Sequence, residues 1–264
     1  MSMSLTSRFA AAGLACALMA GCAAPSHPDP RDPWEGFNRG VYKFNDTVDH
    51  LVMRPVATVY TTVLPNPVQS CVHNIFSNLG DIWGGINLML QERGLDAINM
   101  WGRFMLNTTM GLGGCLDIAS RTGDPKIPSD FGTTLGVWGL KPGPYLVLPL
   151  LGPSTVRDGV GMTADWFGDP LELRDIRNVG LRNSLYGLYF VDRRASLLDV
   201  TNTIDHTALD PYSFVRDAYL QHRAAMVRGN KPNHEALPNY NDDEQDKAAP
   251  MAPSPSAAPA APAK

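Results

Sequence analysis

Phe37, Val41, Phe44, Val48 and Leu51 follow one another at spacings of four, three, four and three. That period predicts an amphipathic helix. Asp32-Pro33-Trp34-Glu35 stands ahead of it. Asp suits an N-cap, Pro the first helical position, and Glu at the third can close a capping box. Arg54-Pro55 is expected to end this helix. Pro65-Asn66-Pro67 restarts the chain, with Asn66 as cap. In the helix that follows, Asn66, Gln69, Ser70, His73, Asn74, Ser77, Asn78 and Asp81 share one half. Val68, Cys71, Val72, Ile75, Phe76, Leu79, Ile82 and Trp83 share the other.

A third helical pattern runs from Leu95 to about Leu112, anchored by Ile98, Trp101, Met105 and Leu106, and ends in Gly111, Gly113 and Gly114. Phe131 to Gly152 breaks the periodicity. Gly132, Gly136, Gly139, Gly143, Gly152 and three prolines interrupt an otherwise apolar run, so a long irregular loop is expected. Tyr145 to Leu148 could be extended. Helices resume at Ser154, with Val156, Val160, Ala164 and Phe167 on one face. Another covers about Gly180 to Val200, and a last one opens at Asp210-Pro211 and closes at Gly229. The fold class expected is all-α, a single helical domain over residues 33–229.

The two ends differ from this body. Phe9 to Ala20 is apolar, follows a single positive charge at Arg8, and is too short to span a bilayer. Leu18-Met19-Ala20-Gly21-Cys22 looks like a lipobox. Residues 1–21 are then a lipoprotein signal peptide and Cys22 the lipid attachment site; plain secretion with cleavage near Ala20 or Ala23 is the alternative. Residues 22–32 are Pro-rich and form a tether whose reach is at most ~35 Å. By resemblance to Gram-negative lipoproteins, Ala23 after the Cys favours export to the outer membrane over retention at the inner one. Residues 230–264, with seven prolines and an acidic cluster at Asp242, Asp243, Glu244 and Asp246, read as a disordered Pro/Ala-rich tail.

Net charge is −4, which argues against nucleic-acid binding. Charged residues make up 18% of the chain, against about 25% in ordinary soluble domains. The deficit is local. Asp81 is the one charge from Pro55 to Gln91, and Lys141 the one charge from Phe131 to Val156. Either a large buried core or a body partly sunk in a bilayer around a polar path would account for this. On that second account the uncharged helix face, with Gln69, His73, Asn74 and Ser77, is a channel wall. The glycine-broken segment, with Phe131, Gly132, Gly136, Trp138, Gly139, Gly143, Pro144 and Tyr145, is its lip. Valine at Gly136, Gly139 or Gly143 should then impair passage along that path more than folding.

Cys71 and Cys115 are the even pair left after Cys16 and Cys22, and a disulfide is expected in an oxidising compartment. Two buried free thiols are the alternative. His73 is either an ordinary hydrogen-bonded helix histidine or part of the wet wall. Arg157 is either surface charge or a phosphate-headgroup contact. No Gly-x-Ser-x-Gly elbow surrounds Ser154 and no His-Glu-x-x-His or paired Cys-x-x-Cys occurs, so no catalytic site, metal or cofactor is expected.

Several segments, in order from about residue 32 to 229, resemble the MlaA (VacJ) family. They begin with Asp32-Pro33-Trp34-Glu35-Gly36-Phe37-Asn38-Arg39, Tyr42 and Phe44-Asn45, then Arg54-Pro55-Val56-Ala57. Asn74-Ile75-Phe76-Ser77-Asn78-Leu79 and Arg103-Phe104-Met105-Leu106-Asn107-Thr108 with Gly111-Leu112-Gly113-Gly114 follow. Phe131-Gly132-Thr133-Thr134-Leu135-Gly136, Gly143-Pro144-Tyr145 and Arg157-Asp158 are the most specific, and Asp210-Pro211-Tyr212 and Arg216-Asp217-Ala218-Tyr219 complete the set. The resemblance implies a ring-like helical body in the inner leaflet of the outer membrane, lipid-anchored on its periplasmic face. It implies an amphipathic channel that takes misplaced phospholipid from the outer leaflet to a periplasmic lipid-carrier protein. It implies association with a trimeric porin, and no enzymatic activity. A structural scaffold for porin or envelope complexes is the rival reading, and a phospholipase a further one.

Overall fold

The first amphipathic pattern folds as a helix, but much of its apolar stripe stays exposed. The computed structural model describes residues 29–168 and 176–229. Cys22, the signal segment, most of the tether and the tail lie outside the described residues. In α1 (Glu35–Val48) only Asn38 and Val41 are buried. Asn38 is 0% exposed, whereas Phe44 is 52% and Leu51, just beyond the helix, 73% exposed. Of the apolar stripe only Val41 is buried, while Phe37, Phe44 and Leu51 are exposed. Asp32 is not the helix cap. The helix starts at Glu35 behind Trp34 with no side-chain cap bond. Asp32 is instead buried, accepting hydrogen bonds from Asn38 Nδ2 (2.8 Å) and Tyr212 Oη (2.5 Å).

Arg54-Pro55 does not end the helical run either. A π-helical turn, Asp49–Met53, joins α1 directly to α2 (Arg54–Val63). A proline ring clashes with the carbonyl four residues back in an α-helix, and the wider π turn relieves that clash. The long helix α3 (Asn66–Leu90) begins behind Pro65, so Asn66 is its first helical residue rather than its cap. It packs as a hairpin against α4 (Gly94–Thr109). The interior of this pair is polar in large part: Asn78, Asp81, Asn87, Arg103 and Asn107 are all buried. Asp81 meets Arg103 Nε at 3.4 Å and Lys126 Nζ at 2.7 Å. After α4, Gly114 has φ +92°, and a side chain there would press into the Asn78 amide at 2.9 Å. The neighbouring Cys115 is joined to Cys71 of α3 by a disulfide.

The short helix α5 (Ile118–Thr122) is capped by the Asp117 carboxylate. The expected loop over residues 131–152 is more ordered than its glycines suggested. It holds α6 (Phe131–Val137), capped by Asp130, and a β-hairpin of β1 (Tyr145–Leu148) and β2 (Gly152–Thr155). The register pairs Tyr145 with Thr155 and Leu148 with Gly152. Two side-chain amides of α1 hold this hairpin, one at β1 and one at its turn. Asn38 donates to Tyr145 O and accepts from Val147 N (3.0 and 2.9 Å), and Asn45 does the same with Leu148 O and Leu150 N (2.9 and 2.8 Å).

Because Ser154 belongs to β2, α7 starts later than expected and runs Val156–Gly168. It crosses α6 where a Cβ on Gly161 would collide with the Gly132 backbone. The chain continues through α8 (Val179–Ala195), α9 (Leu198–Thr207) and α10 (Pro211–Arg228). One small core joins Val41, Tyr145, Val147 and Tyr212, and another Leu88, Ala97 and Met100. Far more large apolar side chains are exposed than buried, among them Val56, Val59 and Val63 of α2, Ile98 and Met105 of α4, and Val160, Trp166 and Phe167 of α7. A large buried core therefore does not explain the shortage of charge. Among the described residues no helix is long and apolar enough to cross a membrane.

Candidate functional site

The uncharged face of α3 leads to a cavity of about 530 Å³. Helix α3 supplies His73, Phe76, Ser77 and Trp83, and α8 supplies Tyr189, Asp192 and Arg193. The extended segment Lys126–Asp130 and the α8–α9 junction at Ser196 and Leu197 complete the wall. A smaller cavity of about 210 Å³ shares His73, Asp192 and Ser196 with it and is lined further by Tyr60, Gln69 and Asn74. The four α3 residues expected on a channel wall thus line these two adjoining spaces. Gln69 and Asn74 are also tied down: Gln69 Nε2 donates to Leu64 O at 2.7 Å, and Asn74 Nδ2 to Cys115 O at 3.0 Å.

The wall is amphipathic. Phe76, Trp83, Met100, Ile127 and Leu197 give it apolar surface. Its ionised groups, however, contradict the expectation of a neutral path, and most are matched to partners. Lys126 Nζ lies 2.7 Å from Asp81 Oδ1 and donates to Ser77 Oγ at 2.8 Å. Asp130 is held by Arg223 and accepts from Thr133 N at 2.7 Å. Asp165 accepts from Trp83 Nε1 at 2.7 Å, fixing that indole on the wall. His73 Nδ1 lies 3.0 Å from Asp192 Oδ2. An ionised carboxylate only accepts, so the proton sits on Nδ1.

The Asp192 hydrogen bond raises the His73 pKa above its ordinary 6.5, against the effect of burial. A histidine stabilised in its charged form contributes stability that is fully present below the unfolded-state pKa. That contribution is lost as pH rises through the higher folded-state value. The melting-temperature difference between wild type and His73→Asn should therefore be largest below about pH 6 and shrink above about pH 7. A difference independent of pH would mean that the pair does not form.

The segment read as a lip divides. Gly132 and Gly136 are packing positions: a Cβ would lie 2.7 Å from Arg223 Nη2 at the first and 2.6 Å from Arg157 Nη1 at the second. Valine at Gly136 would thus disturb folding, contrary to the sequence expectation. Gly139 and Gly143 have φ of +97° and +68°, and Trp138 beside them is exposed, its Nε1 donating to Leu90 O. Phe131 packs edge-on against Trp138. Pro144 and Tyr145 run into the hairpin, where Tyr145 belongs to the core. None of these residues lines the large cavity.

Arg157 is also placed away from it. It is 5% exposed and its Nε donates to Asp158 Oδ1 at 2.9 Å. Asp158 in turn accepts from Arg223 and from Tyr219 Oη (2.8 Å). Burial pushes the Asp158 carboxyl up, but the Arg223 guanidinium outweighs it and holds the pKa below its ordinary value. Arg157 is thus a structural cation, not a headgroup contact. Lys126, Tyr189, Asp192 and Arg193 were missed. The one available signal was Asp81: a lone charge on an otherwise neutral helix needs a cation, and Lys126 is half of the answer. Among the described residues no cluster of His, Cys, Asp or Glu could hold a metal ion.

With this geometry in hand, the chain can be compared with known proteins. The MlaA lipoprotein family matches residues 30–226. A protein of Escherichia coli (strain K12) named "Intermembrane phospholipid transport system lipoprotein MlaA" is 35% identical over 248 residues, covering 90% of this chain and 96% of its own. The protein of that name in Haemophilus influenzae is 32% identical over 222 residues, covering 79% and 84%. A chain solved in work on the "Structural basis for maintenance of bacterial outer membrane lipid asymmetry" superposes with a TM-score of 0.63 at 32% identity, covering 74% of this chain and 98% of its own.

Proposed function

The chain belongs to the MlaA lipoprotein family, and on that premise we propose that it removes mislocalised phospholipid from the outer leaflet of the outer membrane. The lipid passes through the cavity between α3 and α8 and is handed to a soluble periplasmic carrier, which maintains lipid asymmetry. The carrying observation is that this cavity has apolar and polar walls inside a body that exposes apolar helix faces. Apolar patches this extensive fit a hydrocarbon or protein environment. The faces of α1, α2, α4 and α7 rest in the inner leaflet or against a trimeric porin, and a diacylated Cys22 holds the body at the periplasmic face. The chain acts by transport and performs no hydrolysis.

The test is outer-leaflet phospholipid in a strain lacking the gene. Surface phospholipid should rise, and intact protein should restore it. Cys22→Ala should not, and neither should Ser196→Trp, which fills the space where the two cavities adjoin. Unchanged surface lipid in the deleted strain would favour a scaffold instead. Lysophospholipid accumulating on overexpression would point to a hydrolase.

A further inference from the structure

Among the described residues, one cation on the wall of the large cavity, Arg193, pairs with no carboxylate. Lys126 is taken by Asp81 and Ser77, and Asp130 by Arg223. Asp192 is buried, accepting from Tyr60 Oη at 3.3 Å and from His73 Nδ1 at 3.0 Å. Arg193, the next residue, is exposed on the cavity wall and donates only to the neutral Tyr189 Oη, at 3.0 Å. Among the described residues it has no carboxylate partner. His73 is half-buried on the facing helix, with Nδ1 committed to Asp192 and Nε2 left over. A guanidinium matches a tetrahedral oxyanion through paired N–H donors. Phe76, Trp83, Met100 and Leu197 on the same cavity offer no hydrogen bond but suit an acyl chain.

We propose that Arg193 and His73 form a phosphodiester subsite that holds the headgroup of a phospholipid in the cavity, with Asp192 as the positioning residue for His73. This rests on the transport reading above and adds where the headgroup stops. The Asp192 hydrogen bond shifts the imidazole towards its protonated form, in which Nε2 donates to the anion beside Arg193. Lys126 stays on its carboxylate, which keeps the grip weak enough for release. The same chemistry would take free phosphate, so the two sources must be separated.

The experiment uses the full lipoprotein in detergent and three probes: dihexanoylphosphatidylglycerol, dihexanoylglycerol, which lacks the phosphate, and inorganic phosphate. Arg193→Gln should weaken binding of the phospholipid about tenfold or more, the effect of losing one charge-assisted hydrogen bond. Arg193→Lys should fall between it and wild type, and His73→Asn should also weaken binding. Dihexanoylglycerol should bind all forms alike. The exposed Arg193 makes one neutral contact, so a melting temperature matching wild type certifies folding in both Arg193 variants, and an unchanged circular-dichroism spectrum does so for His73→Asn. Phospholipid binding unchanged in both Arg193→Gln and His73→Asn would overturn the subsite while leaving transport intact. Inorganic phosphate binding as tightly as the lipid, and through Arg193, would overturn the headgroup assignment. A wild-type protein that takes up no phospholipid would instead remove the transport reading on which the proposal stands.

Discussion

Replacing Asp158 with Ala lowers the unfolding free energy by about 3–5 kcal/mol, the cost of stranding buried charges. Asp158 is 6% exposed and sits between two guanidiniums. Arg223 reaches it with Nε at 3.0 Å and Nη2 at 2.9 Å, and Arg157 Nε lies 2.9 Å away. Tyr219 Oη donates to the carboxylate as well, and the Asp158 backbone N–H donates to Thr155 Oγ1. Removing the carboxylate leaves Arg157 and Arg223 facing each other with only Asp130 to offset them. Chemical denaturation of the purified lipoprotein measures the loss. The control is a triple variant, Arg157→Met, Asp158→Leu and Arg223→Met, which removes the charges together and should recover most of it. A loss below about 1 kcal/mol for Asp158→Ala would mean that the cluster is solvated like a surface pair.

Asn38→Ala should cost on the order of 3 kcal/mol or more, since each buried polar group left without a partner costs about 1–3. The Asn38 amide serves three partners: Asp32 Oδ1, Tyr145 O and Val147 N. Alanine orphans all three at the centre of the core formed by Val41, Tyr145, Val147 and Tyr212. Asn45→Ala, whose hydrogen bonds lie nearer the surface, should cost less, roughly 1–2 kcal/mol. Equal costs at the two positions would contradict the difference in burial. Both are read from thermal and denaturant unfolding.

Helix existence and order were legible in the sequence because the periodicity is real. Orientation was not. The spacing of Phe37, Phe44 and Leu51 marks an apolar stripe, and the stripe looks the same whether it meets a core or a lipid. On α3, only the density of Asn and the lack of charge hinted that the buried side carries polar residues. The same ambiguity misled at Asp32. As an N-cap it would need only the next few residues, but its partners Tyr212 and Arg216 lie far along the chain. Wall residues on α3 could be read because they share one helix. Asp192, Arg193 and Lys126 could not, because the cavity is made by long-range packing. Glycines were legible as a class but not by role. Gly132 and Gly136 are small because guanidiniums and a helix crossing need the room, while Gly139 and Gly143 hold positive φ.

Asn38 and Asn45 stand two turns apart on α1, and the peptide groups they serve on the hairpin stand about three residues apart. Two helical turns rise about 10.5 Å, and three residues of extended chain, here running from β1 into its turn, advance about 10 Å. Helix and strand, with unequal rises, are thus commensurate at this interval, as the two scales of a vernier agree at one mark. The pair of amides acts as a gauge for the hairpin's axial position: a slip of one residue would put both out of reach at once, rather than loosening them one at a time. The hairpin is therefore either seated or released as a unit.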